Sequence, residues 1–183
     1  MLLLDVGGKN GVRAGELYPD YRVHVIDLNM GWDIMKSGLP SGNWDVILCN
    51  HIIEHLVNPD YLLEQCYDKM SNKTILDIGT PNLTAWFNRA LFLFGYVPHS
   101  MELSTKLNVG KPFDWGNEEL GGHIRIFTVQ ALIDLLKFHG FKILNVKGEY
   151  SNFPCNPIIR FIDRFATGLS PSLSSMFRIK CRK

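Results

Sequence analysis

The stretch Met1-Leu-Leu-Leu-Asp-Val-Gly-Gly-Lys-Asn-Gly11 decides how this chain folds. Leu2, Leu3, Leu4 and Val6 form a short apolar run, the mark of a strand buried on both faces. Gly7, Gly8 and Gly11 then open a tight turn into a short helix expected over 11–17. Glycines in such a turn let the backbone approach a ligand with no Cβ in the way. Asp5, two residues before the first glycine, can turn its carboxylate toward a cationic ligand. Sixteen positions past Gly11, a second apolar run, Arg22-Val-His-Val-Ile-Asp27, ends in an acid placed to accept from both hydroxyls of a ribose. Strand, glycine turn, helix N-terminus and ribose acid together make a nucleotide-binding corner. A dinucleotide fingerprint G-x-G-x-x-G ending at Gly11 needs glycine at 6 and 8, and position 6 is Val, which sets a nicotinamide cofactor aside.

Asp5-x-Gly7-x-x-x-Gly11 resembles instead the first motif of class I S-adenosylmethionine-dependent methyltransferases, which carries a further glycine where this chain has Lys9. The resemblance implies that Asp5, Gly7 and Gly11 hold the amino-acid end of the cofactor. It implies that Asp27 binds the ribose and that Leu28 packs on the adenine, with Val6, Gly8 and Asn29 in the same binding set. Asp33 reaches the adenine amine if the loop after Asn29 turns back.

The totals describe one domain of 183 residues, 46% apolar and 20% charged, with material for a sizeable core. A net charge of +1 gives no electrostatic footprint for nucleic acid. No run approaches the ~20 apolar residues of a membrane span. Cys49, Cys66, Cys155 and Cys181 show no paired spacing, and Cys49 and Cys66 read as small core residues. Free thiols without a secretory leader pattern imply a reducing, cytoplasmic setting. Four basic groups in the last six residues read as a solvated strand edge.

Seventeen residues separate Asp27 from Asp45 in the next strand, Trp44–Asn50. That is room for one crossover of at least ~10–12 residues, not for two with a strand between them. The third strand of a complete Rossmann half is therefore expected to be reduced or absent. An edge left open in this way invites a second copy or a partner to cover it. Further on, Asn58-Pro59-Asp60 signals a helix start. A strand is expected over 73–79 and an apolar helix over 83–95, whose Trp86, Phe87, Leu91, Phe92 and Phe94 read as core packing ahead of an apolar acceptor pocket or a membrane contact. Thr128 caps a helix that ends at Gly140, a strand follows over 141–149, a second amphipathic helix over 156–168, and a final antiparallel strand over 175–182.

Here the resemblance becomes specific. Trp44-Asp-Val-Ile-x-x-Asn-His-x-x-Glu-His-Leu, then Asn58-Pro59, then a strand ending in Pro81-Asn82, then Gly122-His-Ile-Arg-Ile-Phe-Thr128, is similar to the type-11 and type-23 methyltransferase families, the MetW-like and quinone-methylase-like group. The resemblance spans about residues 2–148. It implies an α/β, Rossmann-like doubly wound sheet of about six strands. In that family's strand numbering the order is 2-1-4-5-7-6, with strand 7 antiparallel and helices on both faces. It also implies S-adenosylmethionine as methyl donor, S-adenosylhomocysteine as product and a small-molecule acceptor. Residues 83–122 read as an insertion capping the substrate.

Asn50 and His51, just past the fourth strand, are expected beside the methionine portion of the cofactor. His123 and His55 are the candidate catalytic bases, with Asn82, Tyr96, Trp115 and Arg125 around the acceptor. His51-x-x-Glu54-His55 also matches a zinc signature that needs one continuous helix through both histidines. His51 abuts a strand and Pro59 marks the helix start, so no metal is expected. The rival reading is a catalytically impaired or partner-dependent module, since Lys9 and the lost strand both trim the cofactor site.

Overall fold

The computed structural model describes residues 1–112, 120–150 and 157–183, and it opens on the expected apolar strand. β1 (Leu2–Val6) is buried from Leu3 onward and pairs in parallel with β2 (Arg22–Ile26) on one side and β3 (Val46–Asn50) on the other. β4 (Ile75–Pro81) continues the parallel sheet beside β3. β5 (Lys142–Glu149) and β6 (Met176–Arg182) form an antiparallel pair, and β6 inserts against β4. The order β2-β1-β3-β4-β6-β5 is the expected doubly wound sheet with its third strand removed. Between β2 and β3 the chain makes a 3₁₀ turn (Leu28–Met30) and one turn of helix, α2 (Ile34–Ser37), and no strand. β2 is thus an edge.

Helices cover both faces. α1 (Val12–Leu17) packs Ala14 on Leu3, Val46 and Leu48. On the opposite face α3 (Pro59–Lys69) buries Leu62, Leu63 and Cys66 in the larger core with Leu4, Ile47 and Ile78. Asn58 Oδ1 accepts from the Tyr61 N–H at 3.1 Å, and Pro59 occupies the first helical position, as the local sequence requires. α4 (Trp86–Leu93) follows β4, and α5 (Val129–Phe138) starts from the Thr128 hydroxyl, which accepts from Ala131 N–H at 3.0 Å. Gly140, at φ +86°, turns the chain out of α5. α6 (Pro157–Leu169) precedes β6.

Two expectations are corrected. The basic final strand is not a solvated edge: β6 lies inside the sheet, and Arg178 is buried against Asp77, Glu149 and Asn50. The apolar residues after β4 are not core: Phe92, Leu93 and Phe94 are exposed, while the buried residue of α4 is Asn88. Asn88 donates to the Asn82 carbonyl and accepts from His99 N–H, so a polar side chain anchors this helix to the loop that follows it. Among the described residues no helix is long and apolar enough to cross a membrane.

Candidate active site

The pairing register brings the carboxyl ends of four strands level. Val6 stands opposite both Ile26 and Cys49, and Asn50 stands opposite Gly79. Gly7, Asp27 and His51 therefore begin their loops along one edge of the sheet, beside Thr80 near the end of β4. Between β1 and β3 the strand order reverses, and an α/β sheet opens a crevice at such a point.

The glycine corner is tightly built. Gly7 adopts φ +73°, and a Cβ there would stand 2.8 Å from Ile52 Cδ1. A Cβ on Gly8 would overlap the Asp5 carboxylate. Gly11, at φ +72°, is the residue from which α1 starts. Lys9 stands where the family motif has glycine and takes the left-handed conformation itself, at φ +52°. Its N–H donates to Asp27 Oδ2 at 3.0 Å, and Asn29 N–H donates to Oδ1 at 2.8 Å. The acid at the end of β2 is thereby fixed by the corner it faces.

Asp5 is 1% exposed, and its Oδ2 has no hydrogen-bond partner. Burial first, and the charge of Asp27 second, push its carboxyl up to about 6. A cleft holding one buried, unpartnered carboxylate within the field of another is suited to a cation.

Two adjoining cavities occupy the crevice. One, of about 410 Å³, is walled by Ile26, Asp27, Leu28, Trp32, Asp33 and Met35. The other, of about 610 Å³, is walled by Asp5, Gly8, Asn10, Asn50 and His123. Gly7, Lys9, His51, His55 and Gly121 border both, so the two are chambers of one cleft. Lys9 and His51 are the described non-glycine residues with positive φ, at +52° and +54°. Strained backbone costs ~1–3 kcal/mol per residue and gathers at functional sites, and here both instances line the same cleft.

Beyond the second chamber the loop after β3 meets the segment around residue 123. The Glu54 carbonyl accepts from Ile124 and Arg125 N–H groups at 2.9 and 3.0 Å, which sets His123 beside His55, ring centroids 4.9 Å apart. Glu54 itself is fully buried, with Oε1 3.0 Å from His51 Nδ1 and Oε2 accepting from Thr80 Oγ1 at 3.0 Å. Burial alone would raise its pKa; the hydrogen bond and charge of His51, with help from Thr80, outweigh burial and hold it below the usual carboxylate value. His51 breaks any helix between the two histidines of the H-x-x-E-H motif, because its backbone is left-handed and only a 3₁₀ turn (Ile53–His55) follows.

The structure thus gathers Asp5, Val6, Gly7, Gly8, Asp27, Leu28, Asp33, Asn50, His51, His55 and His123 around the cleft. Gly11 and Asn29 act from behind its walls, through the α1 start and the Asp27 carboxylate. Asn50 has its amide oxygen engaged by Arg178 at 2.6 Å. Of the residues expected around the acceptor, Asn82, Tyr96 and Arg125 line neither chamber. Asn82 is buried, donates to the carbonyls of Pro171, Ser172 and Ser174, and borders neither chamber. An amide flanking three carbonyls serves to pin the 3₁₀ turn before β6. Arg125 donates to the Val57 carbonyl at 2.6 Å, and Tyr96 is half exposed, also outside both walls. Trp115 lies outside the described residues. Trp32 and Ile52 are wall residues that sequence reading missed. Trp32, an aromatic in a polar loop just past the ribose acid, carried the legible signal.

The sequence pattern of a methyltransferase-domain family matches residues 1–146. No curated protein matches the chain. Among solved structures, a SAM-dependent methyltransferase from Archaeoglobus fulgidus superposes with TM-score 0.56 at 17% identity, covering 100% of this chain and 86% of that one. A S-adenosylmethionine-dependent methyltransferase from Clostridium acetobutylicum gives 0.57 at 10% identity over 99% and 83%. An O-methyltransferase family 2 protein from Planctomyces limnophilus, solved with apigenin, gives 0.59 at 13% identity, and the chain spans 50% of its length. Likeness at these identities establishes the fold.

Proposed function

Since the chain belongs to the methyltransferase-domain family, we propose that it transfers a methyl group from S-adenosylmethionine to a small-molecule acceptor. The observation that carries this reading is the Asp5 carboxylate, buried and unpartnered under Gly8 and facing the same cleft as Asp27. The cofactor presents a methyl group on a sulfonium, so the leaving group is a neutral thioether and the donor arrives already activated. The protein's work is chiefly to position the reactants, which can be worth ~7–11 kcal/mol.

Asp27, held by two backbone N–H groups, keeps carboxylate lone pairs for the ribose hydroxyls. Leu28 and Trp32 offer apolar surface to the adenine, and Asp33 stands at the same chamber for its amine. Asp5 accepts the ammonium of the amino-acid end, and Gly7 and Gly8 leave room for it. His51 and Asn50 border the methionine portion, and His55 and His123 supply Lewis-basic nitrogens where the acceptor enters. Lys9 holds the glycine-like conformation, which argues against an impaired corner.

Isothermal titration with S-adenosylhomocysteine tests the reading. Stoichiometric binding is expected, weakened at least tenfold by Asp27→Ala. Absence of heat and of any thermal shift at millimolar ligand overturns it.

A further inference from the structure

His55 and His123 each spend one ring nitrogen on a carbonyl. His55 Nδ1 lies 3.2 Å from the Gly122 oxygen, and His123 Nδ1 lies 3.0 Å from the Ser100 oxygen. A carbonyl oxygen only accepts, so in each neutral ring Nδ1 carries the proton and Nε2 the lone pair. A carboxylate backs the second ring: Glu102 Oε1 stands 3.5 Å from His123 Nδ1. The same carboxylate accepts from the N–H groups of Gly121, Gly122 and His123 at 2.7, 2.9 and 3.3 Å, so the segment bearing His123 is clamped around it. Carbonyl or carboxylate behind one nitrogen, lone pair on the other, is the arrangement of histidines that bind metal.

Glu54 adds the third group. One ligand-capable atom from each of Glu54, His55 and His123 lies within 4.8 Å of the other two. His51 and Thr80 orient its two oxygens and leave each a second lone pair. Two imidazoles that border the second chamber, with one carboxylate buried behind them, match a catalytic divalent-metal site that keeps a position for water or substrate on the chamber side. Nitrogen donors favour a transition ion over magnesium or calcium.

We propose that Glu54, His55 and His123 bind one divalent transition-metal ion at the His55–His123 wall of the second chamber, and that its open position takes an acceptor hydroxyl. The role assigned to the ion rests on the methyltransferase reading; the binding itself does not. The hydroxyl oxygen coordinates the ion and its proton leaves to water. The oxygen then forms the bond to the methyl carbon while the carbon–sulfur bond breaks and its electron pair stays on sulfur. The expectation of no metal, drawn from the discontinuous H-x-x-E-H segment, is replaced here because the fold supplies His123 from 68 residues beyond His55.

The test titrates cobalt(II) into chelator-stripped, untagged full-length protein and follows its visible absorption, with zinc(II) as competitor. One ion per chain is expected. His55→Ala and His123→Ala, at half-buried positions, should each weaken it at least tenfold, and Glu102→Gln, which keeps an amide oxygen for the backbone N–H groups it clamps but removes the charge behind the His123 ring, by ~10–100-fold. No cobalt(II) or zinc(II) binding to the wild type, or binding unchanged in both alanine variants, overturns the proposal. S-adenosylhomocysteine titrated into the same samples separates the two readings. Cofactor binding without metal removes only the metal site, and metal binding without cofactor removes only the methyl-transfer role.

Discussion

Burial and the nearby Asp27 place the Asp5 carboxyl at about 6, above the ~3.9 of an unfolded chain. The sign follows from linkage: protonated Asp5 favours the fold, that contribution is complete below the unfolded value, and it is lost as pH rises through about 6. A shift of this size corresponds to roughly 3 kcal/mol. Asp5→Asn should therefore flatten the loss of stability between pH 4 and 7 and raise the denaturation midpoint at pH 7.5. The same substitution should weaken S-adenosylhomocysteine at least tenfold, because the ligand's ammonium loses its counter-charge. Chemical denaturation at pH 5 and pH 7.5, with ligand titrations alongside, checks both halves. Equal pH dependence in wild type and variant would contradict the role given to this carboxylate. Gly8 belongs to the same argument: with no room for a Cβ above Asp5, Gly8→Ala must displace either the turn or the acid.

β6 shows how one element can hold a sheet together from the inside. Arg178 reaches Asp77 at 3.0 Å, Glu149 at 2.9 Å and Asn50 at 2.6 Å, linking β4, β5 and the end of β3. Asp77 is fully buried and also accepts from the Tyr18 hydroxyl. Arg178→Ala leaves that carboxylate only the half-exposed Lys180 ammonium, 3.7 Å away, as its cation, and breaking a buried pair from one side costs ~3–5 kcal/mol. Thermal denaturation should register this as a large drop in midpoint, whereas loss of the exposed Arg13–Glu16 pair should change little. These elements also mark what could be read from residues alone. The missing strand and the caps at Asn58 and Thr128 were legible, because each follows from local spacing or a short polar motif, whereas the strand order came only from the family resemblance. Arg178 was not, since a basic residue on a terminal strand looks the same whether its strand ends at solvent or inserts beside β4. The placement of Asn82 was hidden for a like reason: its three carbonyl partners come from 171–174, about ninety residues away in sequence. The glycine corner and Asp27 were legible because their spacing is set by one strand–turn–helix unit. The His55–His123 pairing depends on the Glu54 carbonyl capturing two distant N–H groups, which no local pattern announces.

Taken whole, the molecule is a methyltransferase sheet trimmed on one side. Ligand binding should report on this frame by mass action: at a hundredfold excess over its dissociation constant S-adenosylhomocysteine adds about 2.7 kcal/mol, which for a chain of this size raises the melting midpoint by roughly 5–10 °C. A shift under about 2 °C at that saturation would mean that the unfolded chain binds nearly as well. The short β2 edge carries Arg22 and His24 toward solvent, which discourages strand addition by a second copy. Trimming also changes what would lie behind the purine in the proposed binding mode. With no strand outside β2, the 410 Å³ chamber is bounded by Leu28, itself 71% exposed, and the short α2. A fluorophore tethered to the base of the nucleoside would project into bulk water instead of into a protein wall, so such dye-bearing analogues should bind nearly as tightly as the plain product and serve as displacement reporters in a search for the acceptor.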